Sequence, residues 1–204
     1  MRISFRFFLL LLVSLLPLSG LQSARDVLVN QPEGIGMINV AFLKSGDLIF
    51  RNGRGVVSSW FRRCSLKDPR YSHAGIVLKY KDSVMIAHVS RDFESGLVAE
   101  SLESFARSGQ EMAVYRINVK GRTSEELVRI IGEDLRKGVP FDDQFSLENG
   151  SAMYCTEWVN SVFSRAEQKT TSFPLTHAGG FTYFACDNLY LNDRASLITK
   201  FESQ

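Results

Sequence analysis

Two short stretches carry the residue types that could do chemistry: Tyr154-Cys155-Thr156-Glu157-Trp158-Val159 and, far upstream, Ser72-His73-Ala74-Gly75-Ile76-Val77. The first sets a thiol where a loop turns into an amphipathic helix. The second sets an imidazole at the mouth of an apolar, β-branched run. An imidazole can take a thiol's proton and leave a thiolate, the minimum equipment for attack on a carbonyl. As the first residue of its helix, Cys155 meets unpaired backbone N–H groups and the positive end of the helix dipole. Both favour a thiolate, so this reading expects a pKa well below the free-cysteine value of about 8.5. The same N–H groups could donate to a developing oxyanion. Taken alone, each residue also has a plainer reading: Cys155 as a small buried apolar residue, His73 as a hydrogen-bonded strand end.

A hairpin turning at Lys81-Asp82 would bring His88 roughly across from His73, where it could orient the ring and stabilise its charged form. The alternative is a polar cross-strand pair. His177, in Thr176-His177-Ala178-Gly179-Gly180, is the competing imidazole, but its loop gives no geometric reason to prefer it. Asp47 reads as a turn pin, and Glu157 as a first-turn carboxylate matched to the helix dipole. Asp142 and Asp143 read as a solvated loop, since two adjacent carboxylates are not a metal site. Cys64, Cys155 and Cys186 lack paired Cys-x-x-Cys spacing, so structural zinc is not indicated. A Cys64–Cys186 bridge would leave Cys155 free; the other reading keeps all three reduced.

The elements that must position these groups follow from periodicity. Asn39 to Leu43 reads as a helical turn, and Leu48 to Phe50 as a short buried strand. Arg54 to Arg63, with Val56, Val57, Trp60 and Phe61 at helical spacing, reads as a helix with one apolar face. Strand-like runs follow at His73–Lys79, Ser83–Val89, Leu97–Glu100 and Met112–Val119, with a brief helix from Ser101 to Arg107. Thr123-x-x-Glu126 fits a capping box for a helix ending at Lys137, where Gly138 and Pro140 stop it. A second helix runs from Cys155 to about Ala166, with Trp158, Val159, Val162 and Phe163 facing inward. The Gly-, Thr- and aromatic-rich tail from Ser172 to Cys186 is expected to wrap the sheet. The pattern is that of a one-domain α+β protein.

The 204 residues, 45% of them hydrophobic, suit one domain with a sizeable core, and a net charge of +2 sets nucleic acid aside as a partner. Arg2 and Arg6 followed by Phe7 to Leu18 and small residues read as a signal peptide over residues 1–24, leaving residues 25–204 as the folded domain. The run holds Pro17 and is short for a membrane span. Export to the periplasm or the extracellular space is the expectation.

In their order, Gly46-Asp47-Leu48-Ile49-Phe50, Ser72-His73-Ala74-Gly75-Ile76-Val77 and Tyr154-Cys155-Thr156-Glu157-Trp158-Val159 resemble the YiiX/YaeF-like group. These are circularly permuted members of the NlpC-type papain-like hydrolases, related to lecithin retinol acyltransferase. Ordinary papain-like enzymes place the cysteine helix before the histidine strand; here the histidine comes first. The resemblance implies a small antiparallel, barrel-like sheet flanked by helices. It implies Cys155 as nucleophile, His73 as base, His88 as the ring-orienting third member and Tyr154 as a contributor to the oxyanion site, with no cofactor and no metal. Carried to substrate, it implies hydrolysis of an amide through an acyl-thioester, with a cell-envelope amide as the first expectation. An acyltransferase or thioesterase acting on lipid with the same triad, in peripheral contact with a membrane, is one alternative. A non-catalytic envelope-binding protein keeping only the fold is another.

Overall fold

The computed structural model describes residues 40–81, 83–119 and 124–202. The expected signal peptide, the Lys81-Asp82 turn at Asp82 and the capping box at Thr123 lie outside the described residues. No helix among the described residues is long and apolar enough to cross a membrane.

A 3-10 turn, Val40–Phe42, leads into β1 (Leu48–Gly53), α1 (Val56–Cys64), β2 (His73–Tyr80), β3 (Ser83–Val89) and β4 (Leu97–Ser101). Next come α2 (Leu102–Arg107), β5 (Gly109–Ile117), α3 (Ser124–Lys137) and α4 (Cys155–Glu167). The chain ends with the hairpin β6 (Thr176–Ala178) and β7 (Phe181–Tyr183), then α5 (Cys186–Tyr190) and β8 (Ala195–Glu202). The six longer strands form one antiparallel sheet in the order β4-β3-β2-β1-β5-β8. The sheet is open rather than barrel-like. Closure would require β4 to pair with β8, whereas Gly96, beside β4, bridges to Val139 in the segment after α3.

Alternation along the strands gives the sheet two apolar faces. On one, Leu48, Phe50, Ala74, Ile76 and Ala87 pack against Trp158, Val159, Val162 and Phe163 of α4, all fully buried. On the other, Ile49, Val77, Ile86 and Val114 pack against Leu102 and Phe105 of α2. The inward face expected of α4 is the one observed, and Thr156, Asn160 and Ser164 are buried as well. Trp158 also donates its indole N–H to Asp134 of α3 at 3.0 Å, and Arg165 pairs with the same carboxylate. This neutralises a carboxylate that is only 6% exposed.

Several local expectations meet their physical cause. Asp47 pins its turn by accepting the Lys44 N–H at 2.7 Å and both arms of Arg116 at 2.7 and 2.8 Å. Gly138 ends α3 with φ 79°, a left-handed cap that glycine adopts without steric cost. Asp142 departs from expectation. It is buried, not solvated, and accepts from the backbone of Gln144 at 3.0 Å and Ser146 at 2.7 Å, so it holds the loop before α4 together. β8 was not expected at all.

Candidate active site

The site forms where the N-terminus of α4 meets the start of β2. Cys155 is the first residue of α4 and is buried. The ladder joining β2 to β3 begins only at Ile76–Ala87. This leaves the Ala74 N–H, one residue on from His73, to point at the Cys155 sulfur, together with the N–H groups of Thr156 and of Cys155 itself. Thiol and imidazole, 82 positions apart in the chain (155 − 73), are thus carried to one place by packing of α4 on β2.

Behind His73 the groups form a line. His73 Nε2 lies 2.8 Å from His88 Nδ1, and His88 Nε2 lies 2.9 Å from Glu100 Oε1. Ser104 donates to the other oxygen of Glu100. Gly75 makes the first link. A Cβ added there would fall 3.2 Å from the His88 Cβ, 2.7 Å from the Ile86 side chain and 3.0 Å from the Ala87 carbonyl oxygen. Without a side chain opposite His88, the two rings meet on the diagonal, 4.9 Å apart and nearly perpendicular. The β3–β4 register then brings in Glu100: His88 pairs with Val98, and Glu100 is two residues further along the same face.

The hydrogen-bond roles follow from chemistry. An ionised Glu100 only accepts, so His88 Nε2 carries the proton and His88 Nδ1 accepts. His73 Nε2 must then donate to it. The remaining nitrogen of His73, Nδ1, is left as a bare lone pair, the form a general base requires.

Electrostatics qualify the expectation for the thiol. Burial pushes the Cys155 thiol above its ordinary value, against the opposing pull of the Ala74 and Thr156 N–H groups and of Arg51. Burial also depresses His73 well below 6.5, helped by the Arg51 charge and by His88. His88 is lowered, again mainly by burial. The resting pair is therefore a neutral thiol beside a neutral imidazole. The helix N-terminus favours the thiolate, but desolvation outweighs it. Burial alone would raise Glu100; hydrogen bonds from His88 and Ser104 outweigh it and hold the carboxyl below its ordinary value. Arg51 is the buried cation of the site: it donates to the Phe105 carbonyl at 2.8 Å, lies over the Phe105 ring and is 3.9 Å from Glu100.

A cavity of about 730 Å³ opens beside Cys155. Its walls come from α1 (Val56, Val57, Trp60, Phe61), from Phe145, and from Phe181 of the β6–β7 hairpin. Tyr154 and Thr156 also reach it. The Tyr154 hydroxyl accepts the Phe184 N–H at 2.9 Å, which leaves its own proton to donate. Thr156 donates to the Phe184 carbonyl at 2.6 Å, so the tail is stapled to the first turn of α4. Glu157 accepts the Tyr154 N–H at 3.3 Å; burial pushes its carboxyl up to about 7.

The structure brings Cys155, His73, His88 and Tyr154 to one place and leaves His177 out of it. That ring is exposed on the hairpin and bonded to Thr182 at 2.9 Å. Cys64 and Cys186 line the same cavity as Cys155, and all three are free thiols, so the Cys64–Cys186 bridge is not formed. Sequence reasoning passed over Glu100 and Arg51. Glu100 could have been found by carrying the register of the first hairpin one strand further; nothing local marks Arg51, whose role depends on burial.

A search of curated protein sequences returned no match. Among solved structures, the chain is similar to the metalloprotein YiiX from Escherichia coli O157:H7. The TM-score is 0.62 at 17% identity, over 77% of this chain and 97% of that one. At that identity the likeness is one of fold. Among the described residues here, no group of three or more His, Cys, Asp or Glu side chains could hold a metal ion. A model of the permuted papain-like amidases of the YaeF/YiiX type, the C92 family, matches residues 42–182, a span that takes in His73, His88, Glu100 and Cys155, and the chain belongs to that family.

Proposed function

We propose that this protein is a thiol-dependent hydrolase that cleaves an amide or ester through an acyl-thioester on Cys155. His73 serves as base and then acid, while His88 and Glu100 fix its tautomer. The observation that carries this reading is the line Glu100–His88–His73, which ends in a bare nitrogen at the start of β2, where the neighbouring Ala74 N–H meets the Cys155 sulfur. As the sulfur attacks the carbonyl carbon, its proton passes to His73 Nδ1. The oxyanion forms where the first-turn N–H groups of α4 and the Tyr154 hydroxyl can donate. Collapse breaks the C–N or C–O bond, and His73 gives its proton to the departing amine or alcohol. Water, deprotonated by His73, then releases the acid and restores the thiol.

The basic-then-apolar start of the chain supports export, which would place the substrate in the cell envelope. Incubation with an activated ester or amide, followed by intact-mass measurement, tests the chemistry. The expected result is an acyl adduct that maps to Cys155 and is absent from Cys155→Ala. An adduct that survives that substitution, or none with any acyl donor, would refute it.

A further inference from the structure

We infer that Arg51 is a positioning residue of this site: its buried charge keeps the Glu100–His88 pair from becoming carboxylate and imidazolium, and so keeps Nδ1 of His73 bare. This rests on the hydrolase reading above and assigns the residue that holds its base in working form.

Four neighbouring strands each send one residue to the same face of the sheet. Arg51 of β1 stands opposite His73 of β2, and His88 of β3 and Glu100 of β4 follow on the diagonals. The Phe105 ring of α2 gathers them. Its centre lies 5.8 Å from that of His73, 5.2 Å from that of His88 and 4.4 Å from the Arg51 guanidinium carbon. Gly109 of β5 leaves the room, since a Cβ there would fall 3.2 Å from the Arg51 Cβ. The buried guanidinium donates to the Phe105 carbonyl at 2.8 Å, a neutral partner. Its charge is thus left to act on the Glu100 oxygen 3.9 Å away, the same Oε1 that meets His88 Nε2 at 2.9 Å.

The need for that charge follows from the direction of the hydrogen bonds. His88 is fully buried, and two carboxylates favour its cation: Glu100, and Asp92 in the loop after β3. Arg51 opposes both. The other neighbours add no charge: His73 and Cys155 are neutral, and α2 brings Ser104 and Phe105. An imidazolium at His88 would carry protons on both nitrogens. Its Nδ1 would then donate to His73 Nε2, which would have to accept, and the proton of His73 would move to Nδ1. The nitrogen needed as base would be blocked. A carboxylate behind His88 therefore serves the base only while a cation offsets it. The same charge favours a thiolate at Cys155 and opposes an imidazolium at His73.

The test is ring-nitrogen NMR of the uniformly ¹⁵N-labelled protein against pH. It tells a bare nitrogen, a neutral N–H and an imidazolium apart whether or not substrate is turned over. Arg51→Gln keeps a donor for the Phe105 carbonyl and removes the charge; Arg51→Lys keeps the charge. We expect wild-type His88 to be neutral at pH 7 and its titration midpoint to rise by at least about one pH unit in Arg51→Gln. Arg51→Lys should stay close to wild type. The acid limb of kcat/KM should move with the midpoint, so that on that limb Arg51→Gln turns over about tenfold more slowly than Arg51→Lys. Adding Glu100→Gln to Arg51→Gln should bring the midpoint back down, because anion and cation then leave together. An imidazolium at wild-type His88 at pH 7 would overturn the inference. So would an unmoved midpoint in Arg51→Gln, or equal shifts in the Gln and Lys variants, which would make Arg51 a packing residue. Should Arg51→Gln not fold, the double variant set against Glu100→Gln alone reads the same difference, and equal midpoints there would overturn the inference too. Midpoints that move as expected in a protein that hydrolyses no ester or amide would overturn the hydrolase reading and leave the charge role standing.

Discussion

The proton on His73 is placed by a residue it never touches. Glu100 fixes the tautomer of His88, and His88 fixes that of His73, so the free lone pair of His73 Nδ1 is set two hydrogen bonds away. Removing the proposed base, His73→Ala, should cost about 10²–10⁴-fold in kcat/KM. Glu100→Gln should cost less and should alter the pH profile, because an amide can present either its oxygen or its NH₂ to His88 and so permits the wrong tautomer. Equal losses in the two variants would mean that Glu100 matters for folding rather than for tautomer. The burial that isolates this line also sets the resting charge. The folded-state pKa of Cys155 lies above its unfolded value and that of His73 lies below, so at neutral pH proton transfer waits for substrate. Iodoacetamide should therefore label Cys155 more slowly at pH 7 than it labels the urea-unfolded chain, with the rate rising only on the alkaline side. Activity, which needs His73 neutral, should hold as pH falls through 6.5 and fail only below it. A labelling plateau already reached at pH 6 would reveal a preformed thiolate–imidazolium pair instead.

Among the elements, what the sequence disclosed and what it hid have a common physical reason. Local signals worked where one face of a short segment decides its fate. The β-branched runs at His73 and Ser83, the helical spacing of Val56, Val57 and Trp60, and the inward stripe Trp158–Phe163 all became the elements their periodicity predicts. Pairing partners were less legible, because register is fixed by contacts between distant segments. Glu100 was therefore placed on its strand without being placed behind His88. The segment from Ala195 to Glu202 alternates like an edge strand, yet nothing local says that β5 awaits it. Openness of the sheet belongs to the same class, since it depends on what the outermost strands meet. Gly75 combines both: a glycine within the strand marks a close approach, and Ile86, Ala87 and His88 of β3 make it. Gly75→Ala would press a Cβ against the Ile86 side chain and the Ala87 carbonyl. Overpacking of that kind costs about 1–3 kcal/mol. The urea midpoint should fall accordingly, and turnover should fall further than stability does, because β3 must carry His88 away from His73. A variant that loses stability but keeps full activity would show that the two rings need not touch.

At the scale of the whole molecule, the site is assembled from distant pieces of chain, and its last wall comes from the tail. Phe184 is stapled to Tyr154 and Thr156 at the start of α4, while the Asp187 side chain accepts the Lys67 N–H at 2.9 Å in the loop between α1 and β2. β8 then returns along β5 from Ala195 to Glu202 and shields what would otherwise be a free edge beside a largely buried strand pair. Before it, Arg194 pairs with Glu167 at the end of α4, and its carbonyl accepts the Asn118 N–H at 2.9 Å. The tail is thus tied to the sheet and to the cysteine helix at once. A chain ending at Asp193 keeps every residue of the cavity and of the His73–His88–Glu100 line, but leaves β5 unpaired on one side. An uncovered, largely apolar edge of this kind invites pairing with another copy. The truncated chain should therefore elute as aggregate in size exclusion and melt without a cooperative transition, with helix content largely retained in circular dichroism. If it were instead monomeric, cooperative and as active as the full chain, β8 would be a trim on a sheet already complete at five strands. The architecture that positions Cys155 would then end with α5.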